Sequence, residues 1–278
     1  MKDMPQSVEK PIKRNKFRQV LGKEFYIAKR RLEWISGKQK WAEQRAGDFN
    51  QNIVFEHQST ILRKLKDVDM QLQHNKRTNL ELAIAKLDQM VIRQGETFSI
   101  WRNVGRPTKA KGYKEGLVLQ QGQLASGIGG GLCQLGNLLF WMFAHSPLTV
   151  TERYRHGFDV FPDVNRTVPF GAGATLSYNY IDLQAKNETV DDFKVELWLD
   201  KKFLHGRLLC ESPLDKTYRV EERNHLMKQQ FWGGYTRHNE IVQVATDANG
   251  NESERLLVKN DAIMMYSPML ASDEKATS

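Results

Sequence analysis

The chain has 278 residues, 40% of them hydrophobic and 10% aromatic, which is enough to bury a sizeable core in one large domain or two small ones and too apolar for a disordered chain. The formal net charge is +8, and all of the excess lies in residues 1–45, which hold 13 Lys/Arg against 5 Asp/Glu. Such an arm suits something acidic, whether anionic lipid, nucleic acid or an acidic partner surface, and no specific nucleic acid is predicted.

The N-terminus is polar and basic, without the apolar stretch of a secretory signal. The longest apolar run, Leu138 to Ala144, is far below the roughly 20 residues that cross a bilayer. The expectation is a cytoplasmic protein, peripheral at the inner membrane face if the basic arm docks there. Cys133 and Cys210 match no disulfide framework and no zinc spacing, so neither a metal nor another cofactor is expected.

From Lys13 to Arg45, Phe17, Leu21, Phe25, Ala28, Leu32 and Ile35 advance in steps of four and three, the spacing of one helical face surrounded by cations. Two readings stand. The helix lies on an anionic membrane surface with Trp34 and Trp41 at the interface, or its stripe packs on its own domain and the cations are solvated. A second helical pattern, Ile61, Leu62, Leu65, Val68 and Leu72, leads to a polar break at His74–Arg77. Asn79 is then the predicted N-cap of a third helix, Leu80 to Gln89.

After Met90 the pattern turns to strands: Val91–Ile92, Thr97–Trp101, Leu117–Gln120, Leu148–Tyr154, Thr175–Leu183, Phe193–Leu199 and Arg207–Cys210. One apolar segment, Leu132 to His145, reads as a central helix ended by Ser146-Pro147. Beyond Pro213 come Tyr218–Val220, Tyr235–Arg237 and a hairpin, Ile241–Ala245 with Arg255–Lys259. The fold class is therefore α+β. Three regions are expected: a basic N-terminal helical region, 1–78; a mixed β-rich domain around one apolar helix, 79–212; and a small C-terminal β extension with its tail, 213–278.

Gly127, Gly129, Gly130 and Gly131 precede Cys133, which would open the apolar helix. Glycines free the backbone and expose N–H groups, and the helix N-terminus carries partial positive charge. A thiol there has one physical recipe for a depressed pKa, and the same N–H groups could hold an oxyanion. His156 is the candidate base, with Asp159, Asp163 or Asn165 as an orienting third group. That order of cysteine at a helix start and histidine on a following strand is also the layout of papain-like peptidases, an analogy of layout only. The spacing of the glycines fits neither a phosphate loop nor a dinucleotide fold. The competing reading makes Cys133 a buried helix residue and the glycines a close-packing device. His145, in the last turn, is expected to stabilise the helix C-terminus, and Cys210 to be a packed strand residue.

Several motifs occur in a fixed order: Arg93-Gln94-Gly95-Glu96-Thr97-Phe98-Ser99-Ile100-Trp101, Gly112-Tyr113 with Gly116, Gly129 to Gln134, Asn137 to Phe140, Glu152-Arg153 with His156, Gly171 with Ala174-Thr175, and Ile181-Asp182-Leu183 with Asn187. Over residues 79–210 they resemble the VanW family, with Gln94 in place of the family's proline and Gly173 in place of an aspartate. The resemblance implies a role at the cell envelope in glycopeptide resistance and a peptidoglycan precursor or glycopeptide-like ligand. The lost carboxylate would have to be supplied by Asp159, Asp163 or Asp182, or be unnecessary. Two functions follow as expectations. One is a cysteine-dependent acyl hydrolase or transferase with Cys133 and His156 in a pocket bordered by Gly129, Gly130, Gly131, Gln134 and Arg153. The other is a non-enzymatic binding or scaffold protein that uses the glycine-rich turn for recognition and residues 13–45 for docking.

Overall fold

The computed structural model of the chain describes residues 15–49, 52–62, 69–120, 123–155, 157–160 and 167–268. Asn15 caps helix α1, Lys16–Ile35, its side-chain oxygen accepting the Arg18 N–H at 2.8 Å. Strands β1, Lys40–Trp41, and β2, Asn52–Thr60, follow. Helix α2, Met70–Leu87, is capped by Asp69. Next come β3, Met90–Ile92; β4, Glu96–Ser99; the short α3, Ile100–Val104; and a hairpin of β5, Glu115–Gln120, and β6, Gln123–Ile128. Helix α4, Cys133–Ala144, leads to β7, Thr149–Glu152, β8, Phe158–Asp159, and β9, Gln184–Lys186. The chain then runs through β10, Phe193–Leu199; β11, Phe203–Cys210; β12, Lys216–Gln229; β13, Tyr235–Asp247; and β14, Glu252–Met264. This is the expected α+β class.

Among the described residues, three four-stranded sheets form, in the orders β1-β4-β9-β7, β2-β11-β10-β3 and β12-β13-β14-β8. The second is antiparallel throughout, with Phe193 opposite both Cys210 and Ile92. In the third, β14 continues in parallel pairing to β8, Ile263 opposite Phe158. Helix α4 lies against β2 and β11 and reaches β7. Leu135, Leu138, Leu139, Phe140, Trp141, Met142, Phe143 and Ala144 are all buried, so the helix is apolar over most of its surface because it is covered there, while Asn137 stays exposed. Gly206 lets β11 come close: a β-carbon there would fall 2.5 Å from Met142 Sδ.

Several sequence expectations change, among them the end of the Thr97–Trp101 strand, where Ile100 and Trp101 instead open α3. The helix predicted from Ile61 does not start there, because β2 runs to Thr60 and the Ile61 N–H donates to Lys202 O at 2.8 Å; Leu65 and Val68 lie outside the described residues. The break at His74–Arg77 is absent, and Asn79 sits inside α2. Its buried amide reaches sideways, donating to Lys114 O at 3.0 Å and Gly130 O at 2.9 Å, while its oxygen accepts the Lys114 N–H at 2.8 Å. A polar residue that bonds to a distant backbone looks, in sequence, like one that caps its own helix. Finally, Thr175–Leu183 is a turn-rich loop with one bridge, Ser177 to Ile181, and the strand begins only at Gln184.

The Asn79 clamp holds the β5–β6 hairpin against the glycine triplet. There Gly116 and Gly130 touch backbone to backbone, and a β-carbon on Gly130 would fall 2.1 Å from the Gly116 carbonyl. Main chain cannot move aside as a flexible side chain does. Gly130→Ala should therefore yield little folded protein, read by circular dichroism and soluble yield. Asn79→Ala, which removes the side-chain partner of the buried Gly130 O and of the part-buried Lys114 N–H, should cost about 1–3 kcal/mol in urea unfolding. A loss under 0.5 kcal/mol would show the clamp to be incidental.

Candidate functional site

Cys133 is the first residue of α4, as its position after the glycines required. Its sulfur is engaged by the loop that crosses the helix start: the Leu176 N–H donates to Sγ at 3.4 Å, and the S–H points to Leu176 O at 3.9 Å. The residue as a whole keeps partial accessibility. At the sulfur, however, burial pushes the thiol above its ordinary pKa, outweighing the opposing hydrogen bond from Leu176. This is the reverse of the direction that a helix terminus alone gives, because desolvation disfavours the thiolate more than the first-turn N–H groups favour it.

The glycines beside it are filled by neighbours. A β-carbon on Gly129 would meet Pro107 at 2.8 Å, and one on Gly131 would meet Lys76 at 2.2 Å. Gln134 donates to Ser59 Oγ and Thr60 O, each at 2.9 Å, tying α4 to β2. Arg153 lies over the Phe140 ring at 5.0 Å and donates to Gly173 O at 2.7 Å and to Gly171 O. Burial, with Arg155 nearby, pulls its guanidinium down to about 9. Asp159 meets Tyr266 Oη at 2.9 Å and Arg237 at 3.5 Å in the third sheet. His156, Asp163 and Asn165 lie outside the described residues. His145 bonds the Trp141 carbonyl at 2.8 Å and stacks on Phe55 at the end of α4, and Cys210 is fully buried in β11.

Gly173 also finds a local reason. A β-carbon there would lie 2.6 Å from Asn137 Oδ1, the atom that accepts the Ala174 N–H at 2.8 Å. A small residue at 173 and an amide at 137 fit together.

A different carboxylate is set apart by its surroundings. Asp182 is buried and accepts from Ser99 Oγ at 2.5 Å, from the Leu183 N–H at 2.8 Å and from the Trp101 N–H at 3.2 Å. Its own N–H donates to Glu152, whose two oxygens are gripped by Arg30 of α1 at 2.5 and 2.8 Å. Burial raises the Asp182 carboxyl to about 6, Ser99 working against that and Glu152 adding to it.

Beside this chain of charges opens a cavity of about 340 Å³, lined by Tyr26, Lys29, Arg30 and Glu33 of α1 and by Tyr154, Asn179, Tyr180 and Ile181. Asn179, in the left-handed region at φ 52°, is 1% exposed, and both polar atoms of its amide lack a hydrogen-bond partner. A larger cavity, about 590 Å³, at the end of the third sheet is lined mainly by Trp232, Phe158, Ile263 and Met264 and has no charged side chain. Sequence reading missed the Asn179 cavity, since nothing in Asn179-Tyr180-Ile181 forecasts an unpaired amide or the arrival of α1. Asp182, placed among the substitute carboxylates, was the nearest signal.

A family model described as VanW like protein matches residues 75–209. The vancomycin B-type resistance protein VanW of Enterococcus faecalis is 36% identical over 215 residues, covering 77% of this chain and 78% of that protein. The chain belongs to the VanW family. The Bacillus subtilis protein YoaR is 34% identical over 113 residues, 40% of this chain and 35% of YoaR. No solved structure matches.

The VanW motifs, scattered in sequence, meet in space. Asn187 donates to Ile92 O at 2.9 Å and accepts, through its carbonyl, the Gly95 N–H at 2.8 Å. Ser99 and Trp101 meet Asp182, and the Gly129–Gly131 turn meets Gly116.

Asp182 has a signature in pH. The folded chain holds its proton up to about pH 6, whereas the unfolded chain releases it near pH 4. The group thus favours folding most at low pH, and that contribution is lost as pH rises from about 4 to 6, by on the order of 3 kcal/mol. Thermal melts of wild type and Asp182→Asn should therefore diverge between pH 4 and 7, wild type losing ground. A difference flat across that range would mean that Asp182 does not titrate there.

Proposed function

We propose that this chain is an envelope-associated accessory protein of glycopeptide resistance that binds a peptidoglycan-related ligand without covalent catalysis. The link to vancomycin rests on the relative in Enterococcus faecalis, which bears that resistance in its name and aligns over most of both chains. The binding reading is carried by Asn179. A buried amide with a free donor and a free acceptor is costly until something pairs with both, and a secondary amide offers a matching C=O and N–H.

The rest of the cavity favours the same ligand. Tyr26, Tyr154 and Tyr180 supply flat faces for aliphatic or ring contacts. Lys29, exposed and without an acidic partner among the described residues, supplies a cation for a carboxylate. A peptide end bearing secondary amides and a carboxylate, as in a peptidoglycan stem, has that chemistry. Its volume falls within the range of small-molecule sites.

Against acyl transfer stand the raised Cys133 thiol and its engagement by Leu176. Cys133 in the Cys210→Ser protein should accordingly alkylate with iodoacetamide more slowly at pH 7 than free cysteine, with a midpoint above about 8.5. Faster reaction than free cysteine would restore the nucleophile reading.

The ligand is tested by calorimetric titration with an N-acetylated dipeptide, its carboxamide-capped form and N-acetylglucosamine. The free-carboxylate dipeptide should bind best. Asn179→Asp keeps a residue tolerant of the left-handed backbone but removes the N–H donor and adds a negative charge, so affinity should fall at least about tenfold. Equal affinity of Asn179→Asp and wild type would remove this cavity from the function.

A further inference from the structure

The apolar stripe of α1 faces outward. Phe17, Leu21, Phe25, Leu32 and Ile35 are 55–80% exposed, while Ile27 is 2% exposed. Ile27, Arg30 and Trp34, spaced three and four apart, turn toward the body, with Arg30 bonded to Glu152 and Trp34 packed against the core, and Tyr26 beside them meets the Tyr180 ring. The reading in which the stripe packs on its own domain therefore fails. Nor do Trp34 and Trp41 sit at an interface, since both lie under the Arg102 guanidinium, at 5.8 and 5.4 Å.

Charge distinguishes among occupants for this face. The two acids of α1 are neutralised within the molecule, Glu24 by Arg106 at 3.4 Å and Glu33 by Arg30 at 3.4 Å. Arg18, Lys23, Lys29 and Arg31 are exposed, and among the described residues none of them has an ion-pair partner. On a helical wheel Arg18 and Lys29 border one side of the stripe and Arg31 the other. Two copies pressed together on such faces would bring like charges close. A lipid surface with anionic headgroups meets both features, taking the apolar side chains into the acyl boundary while the long cations reach the phosphates. No helix among the described residues is long and apolar enough to cross a membrane, so α1 would lie on the bilayer.

We infer that the outward face of α1 docks this protein flat on an anionic membrane through Phe17, Leu21, Phe25, Leu32 and Ile35, with Arg18 and Arg31, one on either side of that face, on the headgroups. The inference goes beyond the ligand reading and is independent of it, although the same helix contributes four residues to the cavity and would hold it beside the bilayer surface.

The experiment is co-sedimentation of the full chain with vesicles of phosphatidylglycerol and phosphatidylcholine, or of phosphatidylcholine alone, at low and high salt. Retention should be strong on the anionic vesicles and weak on the neutral ones. Arg18→Glu with Arg31→Glu should lower the partition coefficient at least about tenfold at low salt. Phe25→Ser with Leu32→Ser, both exposed and so compatible with folding, should lower it at every salt concentration. Circular dichroism confirms that each variant is folded. Equal retention on neutral vesicles, or retention indifferent to Phe25→Ser with Leu32→Ser, would overturn the proposal. So would a dimer in light scattering that these serines convert to monomer in a protein not retained by vesicles, an outcome that assigns the face to a second copy.

Discussion

Burying the apolar residues of α4 is the constraint on which the structure depends. Sheets cover part of the helix, and the remainder is wrapped by irregular chain whose N–H and C=O groups have no ladder to join. Side chains satisfy them instead. Asn137 takes the Ala174 N–H and Cys133 takes that of Leu176. At the other end, Gln243 of β13 donates to Ala144 O and Ser146 O at 2.7 and 2.9 Å, closing the helix C-terminus from the third sheet. Gln243 is needed where it is because water is excluded from the contacts it makes.

The same logic explains the form of the family motifs. Their residues are mainly glycines, apolar side chains of the core and polar groups, and several of the polar ones bond to main-chain atoms far away in sequence, as with Asn187 and Ile92 or Arg153 and Gly171. A motif of this kind preserves wrapping geometry first. The features suited to meeting another molecule lie toward the rim, where α1 approaches the Tyr154 and Asn179–Ile181 segments and leaves one amide unpaired. Arg30 joins the two layers, gripping Glu152 on one side and bordering the cavity on the other.

Strands with clear β grammar were legible: Phe193–Leu199 appears with the bounds its pattern gave, and the Ile241–Ala245 and Arg255–Lys259 segments do pair as a hairpin, although each belongs to a longer strand. β2 was not legible. Its Asn52-Ile53-Val54-Phe55-Glu56-His57-Gln58-Ser59-Thr60 has no clean alternation of apolar and polar residues, although a strand with one covered and one solvated face usually shows one. Asn79 was misread for a related reason. Capping and long-range clamping demand the same side chain, and only the partner distinguishes them.

Sequence by itself determined the α+β class, the apolar central helix with Cys133 at its start, the family, and the apolar stripe flanked by cations along α1. These depend on local periodicity, composition and motif order, which a chain displays without folding. Only the tertiary structure decided that the stripe points outward, that the Cys133 thiol is desolvated and bonded to Leu176, and that Asp182, Glu152 and Arg30 meet beside an unpaired Asn179 amide. Desolvation, helix orientation and hydrogen-bond pairing depend on which distant atoms arrive, and no local pattern carries that information.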